Sequence, residues 1–416
     1  MFFWPNIVLK FFVVLALIQC YNIKDIIDYY AKIYFFRHFY TLENTVEDFI
    51  YLDNAATTRP LKCVTEAQTA AQNSFWGNPA SLYSLGLAAA RELSNARTVL
   101  ANAVGANTGD VYFTSGGTES NNTAIFSAAY TLKRRGKHIV TTAFEHPSVL
   151  NPIKKLESEG FTVTYLSPEK KGYVSEEQIA TAVREDTILV SIMAQNNETG
   201  ALNDIKTVKQ IIKAANSPAL FHSDCVQSFL KTPLQFADFD FISVSAHKVG
   251  GPKGIGALIT SQKVVPLLLG GGQEKGVRSG TVPVPLISGF AAAVQNQPKF
   301  DVLALYEYAK EKLADYTLNL PQKASPYILN FSVKNYKSET LLHYLEKENI
   351  FVSSGSACAR GGQSHVLKSM GLSSDISDSA IRISFNYENT KQDIDRLCAA
   401  LEKAQSELIP VKRNKR

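Results

Sequence analysis

The sequence predicts an alternating α/β protein. A large domain with a mostly parallel sheet is followed by a smaller C-terminal α/β domain. Three observations carry this reading. Short runs rich in Val, Ile, Thr and Phe recur at residues 111–113, 138–142, 162–166, 188–193, 220–222 and 239–244. The segments between them are long enough for crossover helices. Chemically active residues and glycine turns stand directly after several of these runs, where a parallel sheet presents its ligand sites. The units after residue 300 are shorter and close on an amphipathic segment, 391–408. The expected divisions are an extension, 1–48, a large domain, 49–300, whose first residues pack on the small domain, and a small domain, 301–416.

Composition fits a chain of this kind. Its 416 residues are 45% hydrophobic and 19% charged, enough for two domains and a large core. A net charge of +5 gives no nucleic-acid surface, and the one dense basic run, 412–416, reads as a solvated terminus. The cysteines are Cys20, Cys63, Cys225, Cys358 and Cys398, an odd number with no CxxC pair and no metal-site spacing. A reducing compartment is expected, the cytoplasm, with at least one thiol kept for chemistry.

Residues 1–48 stand apart from the pattern. The apolar run from Phe11 to Cys20 is shorter than the roughly 20 residues that a membrane-spanning helix needs. The expectation is an extension of the gene model, with translation starting near residues 42–50 at a non-ATG codon, since Met193 is the next methionine after Met1. A tethering or targeting segment and an extra cytosolic helix are the alternatives. From Tyr51 the elements follow in order. Residues 81–106 read as a helix with an alanine-rich face, leaving Arg91, Glu92 and Arg97 outside. Residues 111–113 form a strand, Gly116 and Gly117 a turn, and a helix starts at Thr118. The free N–H groups at that helix start make Gly117 and Thr118 candidates for holding a phosphate. Residues 287–318 read as helix joining the domains, 325–333 as strand, 338–348 as helix and 380–385 as strand.

The chemistry centres on Lys248. It follows the apolar run 239–244 and precedes Gly250-Gly-Pro-Lys-Gly-Ile-Gly256. Burial suppresses the charged form of a lysine, and only the neutral amine attacks a carbonyl. Upstream, Asp224 follows the apolar segment 219–221. A pyridoxal phosphate enzyme needs a lysine to hold the cofactor covalently and an acid to keep its pyridine nitrogen protonated. Lys248 and Asp224, each at a strand end, supply that pair. Ser245 and His247 flank the lysine and are placed to hold the phosphate. Cys358 lies among small residues in Ser353-Ser-Gly-Ser-Ala-Cys358, beside Arg360. That setting predicts an exposed thiol biased toward thiolate on a pliable loop.

Further motifs run collinearly with these: Tyr51-Leu-Asp-Asn-Ala-Ala-Thr-Thr58, Phe113-Thr-Ser-Gly-Gly-Thr-Glu-Ser-Asn121, Glu145-His-Pro-Ser-Val149, Gln195-Asn-Asn-Glu-Thr-Gly200, Arg278-Ser-Gly-Thr281 and Ala380-Ile-Arg-Ile-Ser384. From about residue 51 to about 405 the chain resembles the cysteine desulfurases of the class-V aminotransferase group. The resemblance implies pyridoxal phosphate fold type I, with pyridoxal 5'-phosphate as cofactor and L-cysteine as substrate. It implies a ring stacked on the cofactor at His146, which also moves protons. Asn197 and Gln227 become hydrogen-bond partners of the cofactor ring, with Asn197 also at the substrate. Thr281 reaches the phosphate of a neighbouring subunit, so a homodimer with shared sites is implied. Arg382 pairs with the substrate carboxylate. Cys358 takes the substrate sulfur as a persulfide and passes it to an iron–sulfur scaffold or a tRNA-thiolation protein. Direct nucleic-acid binding is not expected. Selenocysteine lyase or another class-V lyase is the alternative among enzymes, and an inactive sulfur-transfer scaffold the alternative outside them. Cys225, where relatives often have alanine, and Tyr83, where they often have histidine, depart from the pattern. So does the short segment from Cys358 to His365, which leaves the sulfur acceptor open.

Overall fold

A computed structural model describes residues 49–169, 172–354 and 364–411. Strand β1 (Ile50–Tyr51) precedes two helices, α1 (Lys62–Ser74) and α2 (Ser84–Val104). Helix α2 buries an alanine stripe and stops at Gly105, whose φ of 68° lets its N–H reach the carbonyls of Ala101 and Asn102. Next come β2 (Val111–Thr114), α3 (Gly117–Leu132), β3 (His138–Thr142), α4 (Pro147–Ser158), β4 (Thr162–Leu166), α5 (Glu176–Ala182), β5 (Thr187–Ser191), α6 (Val208–Ala214), β6 (Leu220–Asp224), β7 (Phe241–Ser245) and β8 (Gly256–Ile259). These strands form one seven-stranded sheet in the order β2-β8-β7-β6-β5-β3-β4. Neighbours from β7 to β4 run parallel, and β8 is antiparallel to both β2 and β7. Every residue of β3, β5 and β7 is buried, as strands covered by helices on both faces require.

Strand β8 escaped the sequence reading because it emerges from a glycine-rich loop. Its first residue has a steric reason to be glycine. A Cβ on Gly256 would stand 2.5 Å from the Val244 carbonyl oxygen and 2.7 Å from Gly116 Cα. The bare backbone lets the Gly116 turn press against the sheet. Two histidines stitch the strands together. His222 contacts Ser191 Oγ at 2.8 Å and Ser243 Oγ at 3.1 Å, bridging β5, β6 and β7. His138 likewise contacts Thr187 Oγ1 at 2.8 Å and Thr164 Oγ1 at 2.9 Å.

The expected single helix over 287–318 is corrected. The chain forms α7 (Val284–Gln295) and α8 (Val302–Lys312), then β9 (Thr317–Leu318). Pro298 lies between the helices; it has no N–H to donate and disfavours helical geometry at Gln297. The C-terminal part comprises β10 (Ile328–Ser332), α9 (Ser338–Lys347), β11 (Ile350–Phe351), α10 (His365–Ser369), α11 (Ser374–Asp378), β12 (Ala380–Ser384) and α12 (Lys391–Glu407). Its antiparallel sheet has the order β12-β10-β9. Strand β1 pairs in parallel with β11, so the first described residues belong with the last part of the chain. Single bridges join Asp53 to Ser384 and Ser353 to Arg382.

Arg97 is a second correction. It does not lie outside α2: it forms a two-pronged ion pair with Glu274, at 2.7 and 2.8 Å, over the Phe113 ring. Glu274 also accepts from Phe113 N at 2.8 Å, so the loop bearing Glu274 is clamped to the sheet edge. Among the described residues no helix is long and apolar enough to cross a membrane.

Candidate active site

The C-terminal ends of β2, β3, β5, β6 and β7 converge on a cavity of ≈ 270 Å³. Its walls include Gly117, Thr118, His146, Asn197, Asp224, Gln227, Ser245, His247, Lys248 and Arg382, so the sheet gathers nearly all the predicted site residues. Thr281 is the exception among described residues: it is exposed and absent from this wall. Cys358 and Arg360 lie outside the described residues, as do residues 1–48 and the tail 412–416.

Lys248 ends the tight turn Ala246–Lys248 after β7. Its Nζ donates to the carbonyls of Ala55 and Ala56, both at 2.7 Å, which aims the amine across the cavity. Asp224 ends β6 and is 7% exposed. Asn121 Nδ2 donates to its Oδ2 at 2.7 Å and Val226 N to its Oδ1 at 3.0 Å, fixing the carboxylate plane. His146 caps α4, with Pro147 at the first helical position. Ser148 N donates to His146 Nδ1 at 3.1 Å, so a neutral ring carries its proton on Nε2. Burial lowers the His146 pKa, the charges of Lys248 and His365 add to that, and Asp224 opposes it. His247 is pushed down to about 4, first by burial and then by Lys248, Lys253 and Lys231.

Helix α3 starts at Gly117 with no side-chain cap, so its first N–H groups face the cavity beside Ser245. A Cβ on Gly117 would fall 2.6 Å from Val226 Cγ2. An uncapped helix start at a glycine turn suits a phosphate group.

Arg382 is 1% exposed on β12. Its Nη1 donates to Asn197 O at 2.9 Å and its Nη2 pairs with Asp53 Oδ1 at 2.5 Å, while Nε has no partner. The ion pair with Asp53 therefore leaves part of the guanidinium unpaired. Gln227 donates to Ala55 O at 2.9 Å and leaves Oε1 unsatisfied; both amide atoms of buried Gln195 are unsatisfied too. Orphaned buried polar atoms around a cavity call for a polar occupant.

Sequence reasoning passed over several neighbours inside the quoted motifs. Glu145 is fully buried, accepts from Thr142 Oγ1 and Met193 N at 2.8 Å each, and has an unpartnered Oε2. Burial pushes it up to about 8. Glu198 is pushed up to about 7 by burial, against the Ser364 hydrogen bond and the Arg382 charge. It accepts from Ser364 Oγ, and Ser364 in turn caps α10. His365 contacts Glu145 O at 2.9 Å. Glu and Gln beside His146 and Asn197 were the available signal; their burial was not readable.

The sequence description of the aminotransferase class-V family matches residues 50–397. A NifS/IcsS protein homolog of Lactobacillus delbrueckii subsp. bulgaricus is 40% identical, covering 85% of this chain and 96% of that one. A putative cysteine desulfurase IscS 1 of Bacillus subtilis is 39% identical, covering 83% and 95%. Among solved structures, a NifS-like protein has a TM-score of 0.80 at 34% identity, covering 87% of this chain and all of that one. A structure described as SspA in complex with cysteine has a TM-score of 0.74 at 34% identity, covering 81% and 99%.

Proposed function

Because this chain belongs to the class-V aminotransferase family, among its cysteine desulfurases, we propose that it converts L-cysteine to L-alanine and leaves the sulfur as a persulfide on Cys358. The observation that carries the reading is the convergence of Lys248, Asp224, His146 and an uncapped helix start on one cavity that has orphaned polar atoms.

The residues present fit pyridoxal 5'-phosphate. Gly117, Thr118, Ser245 and His247 would hold its phosphate, Asp224 its ring nitrogen, Gln227 and Asn197 its ring oxygen, and Lys248 its aldehyde carbon. When bound, this cofactor supplies the electron-withdrawing ring that lets a substrate α-proton leave. The other roles belong to the chain. Asn121 and Val226 N keep Asp224 oriented. Lys248, its amine aimed across the cavity, would take up the substrate α-proton and return it. His146 would stand against the ring and hold a proton on Nε2. Arg382, in the cavity wall, orients the substrate carboxylate. The Cys358 thiolate attacks the substrate sulfur. The new S–S bond forms as the carbon–sulfur bond breaks, its electron pair stays with the substrate carbon, and a proton there completes alanine.

The second copy of the chain supplies Thr281, in keeping with its exposure away from its own cavity. Trp76, Leu82, Tyr83 and Leu269 are 68%, 90%, 60% and 84% exposed, apolar surface of the kind that an interface covers. The acceptor of the sulfur is an iron–sulfur scaffold or a tRNA-thiolation protein. The setting is a reducing cytoplasm, in which Cys63, Cys225 and Cys398 stay free. The chain divides near residue 300.

Purified protein loaded with the cofactor should release sulfide and alanine in equal amounts from L-cysteine under reductant. Cys358→Ala should lose both by at least about 100-fold and keep the visible cofactor band. Pyruvate with ammonia in place of alanine would mean a lyase. Absence of any cofactor band would leave only a scaffold.

A further inference from the structure

Behind Lys248 lies a second cavity, of ≈ 80 Å³, lined in part by Arg59, Lys231, Lys248, Tyr327 and Tyr387. Lys248 thus forms a wall of both cavities. Lys231 is the unusual resident. It is part-buried and has no acidic partner among the described residues; its Nζ lies 5.6 Å from the centre of the Tyr327 ring. Lysines taken out of water are ordinarily paired, so an unpaired one needs a reason.

The groups around it are nearly all of one sign or neutral. Lys248 and His247 come from the turn after β7, and Lys253 from the loop that follows. Arg59 is spoken for by Glu388 at 3.8 Å, and both are exposed. Tyr327 and Tyr387 have pKa values raised chiefly by burial, so they stay neutral. Burial, followed by the charge on Lys248, lowers the Lys231 pKa to about 7. Coupling between two titrating groups is mutual, so a proton on Lys231 opposes one on Lys248.

We propose that Lys231 is a positioning residue for the reaction: from the second cavity its ammonium disfavours a positive charge on the Lys248 nitrogen, keeping that nitrogen reactive at neutral pH. A neighbouring cation is one of the known ways to activate a lysine nucleophile. The inference rests on the role given to Lys248 above.

The test is a pH titration of the visible band of the cofactor-loaded protein, in wild type, Lys231→Met and Lys231→Arg. Thermal melting confirms that each is folded, and Lys231→Gln replaces the Met variant if that one does not fold. The band midpoint should rise by about one pH unit in Lys231→Met. In Lys231→Arg, which keeps a permanent charge, it should stay at or below the wild-type value. kcat should fall in the Met variant with little change in KM, and Arg should restore it. An unchanged midpoint in the neutral variant, or the same shift in Met and Arg, overturns the proposal while the desulfurase reading stands. Wild type with no band would take down that reading, and this one with it.

Discussion

At the scale of single residues, the chemistry was legible where a residue type declares itself and hidden where burial decides. Lys248 and Asp224 could be read because each follows an apolar run that had to be a strand. Glu145 could not, since nothing in Glu145-His-Pro announces a carboxyl with no exposure and one empty oxygen. Its pKa of about 8, against an ordinary 4.5, has a measurable consequence. Between those values the native protein holds a proton that the unfolded chain has lost. Stability contributed by this group is complete below about pH 4.5 and is lost as pH rises through 8. Glu145→Gln should therefore match wild type in melting at pH 5 and exceed it at pH 9, by on the order of 3 kcal/mol. Parallel melting curves at both pH values check this; equal stabilities at pH 9 would show that the carboxyl ionises without penalty. Arg97 was misread for a related reason. Helical periodicity placed it outside, but its partner Glu274 arrives from 177 residues away.

At the scale of elements, the central strands β3, β5 and β7 were readable because both of their faces are buried, which fills them with β-branched and apolar residues. Their order in the sheet was not, because parallel neighbours are paired by contacts far apart in sequence. β8 shows the limit: four residues behind a glycine loop looked like more loop. Gly256 makes that element testable. Ala at this position drives a methyl into two backbone atoms that belong to β7 and to the Gly116 turn. Gly256→Ala should cost about 2 kcal/mol or more in urea unfolding. It should also weaken cofactor retention, because the displaced turn carries the N–H groups proposed to hold the phosphate. Loss of stability with undiminished cofactor affinity would separate the turn from phosphate binding.

At the scale of the whole molecule, the first described strand and the C-terminal part meet through β1 and β11, and neither the partner strand nor its parallel register was readable from residue types. The proposed dimer belongs to this scale as well. Replacing Leu82 and Leu269 together by aspartate should give monomers in sedimentation velocity and strip cofactor, since Thr281 would no longer reach the second site. A double variant that stays dimeric would place the interface elsewhere. The bonds on either side of the cysteine motif carry one more consequence. Ser353 is tied by paired backbone hydrogen bonds, at 2.7 and 3.1 Å, to the strand that carries Arg382, and Ser364 is tied to Glu198. The proposed sulfur carrier therefore lies in sequence between two anchored posts. Cys358 stands five residues beyond the first post and six before the second. At no more than about 3.6 Å per residue, roughly 18 Å of chain separate it from Ser353 and roughly 22 Å from Ser364. An acceptor of the proposed persulfide must therefore come within that reach of both posts at once.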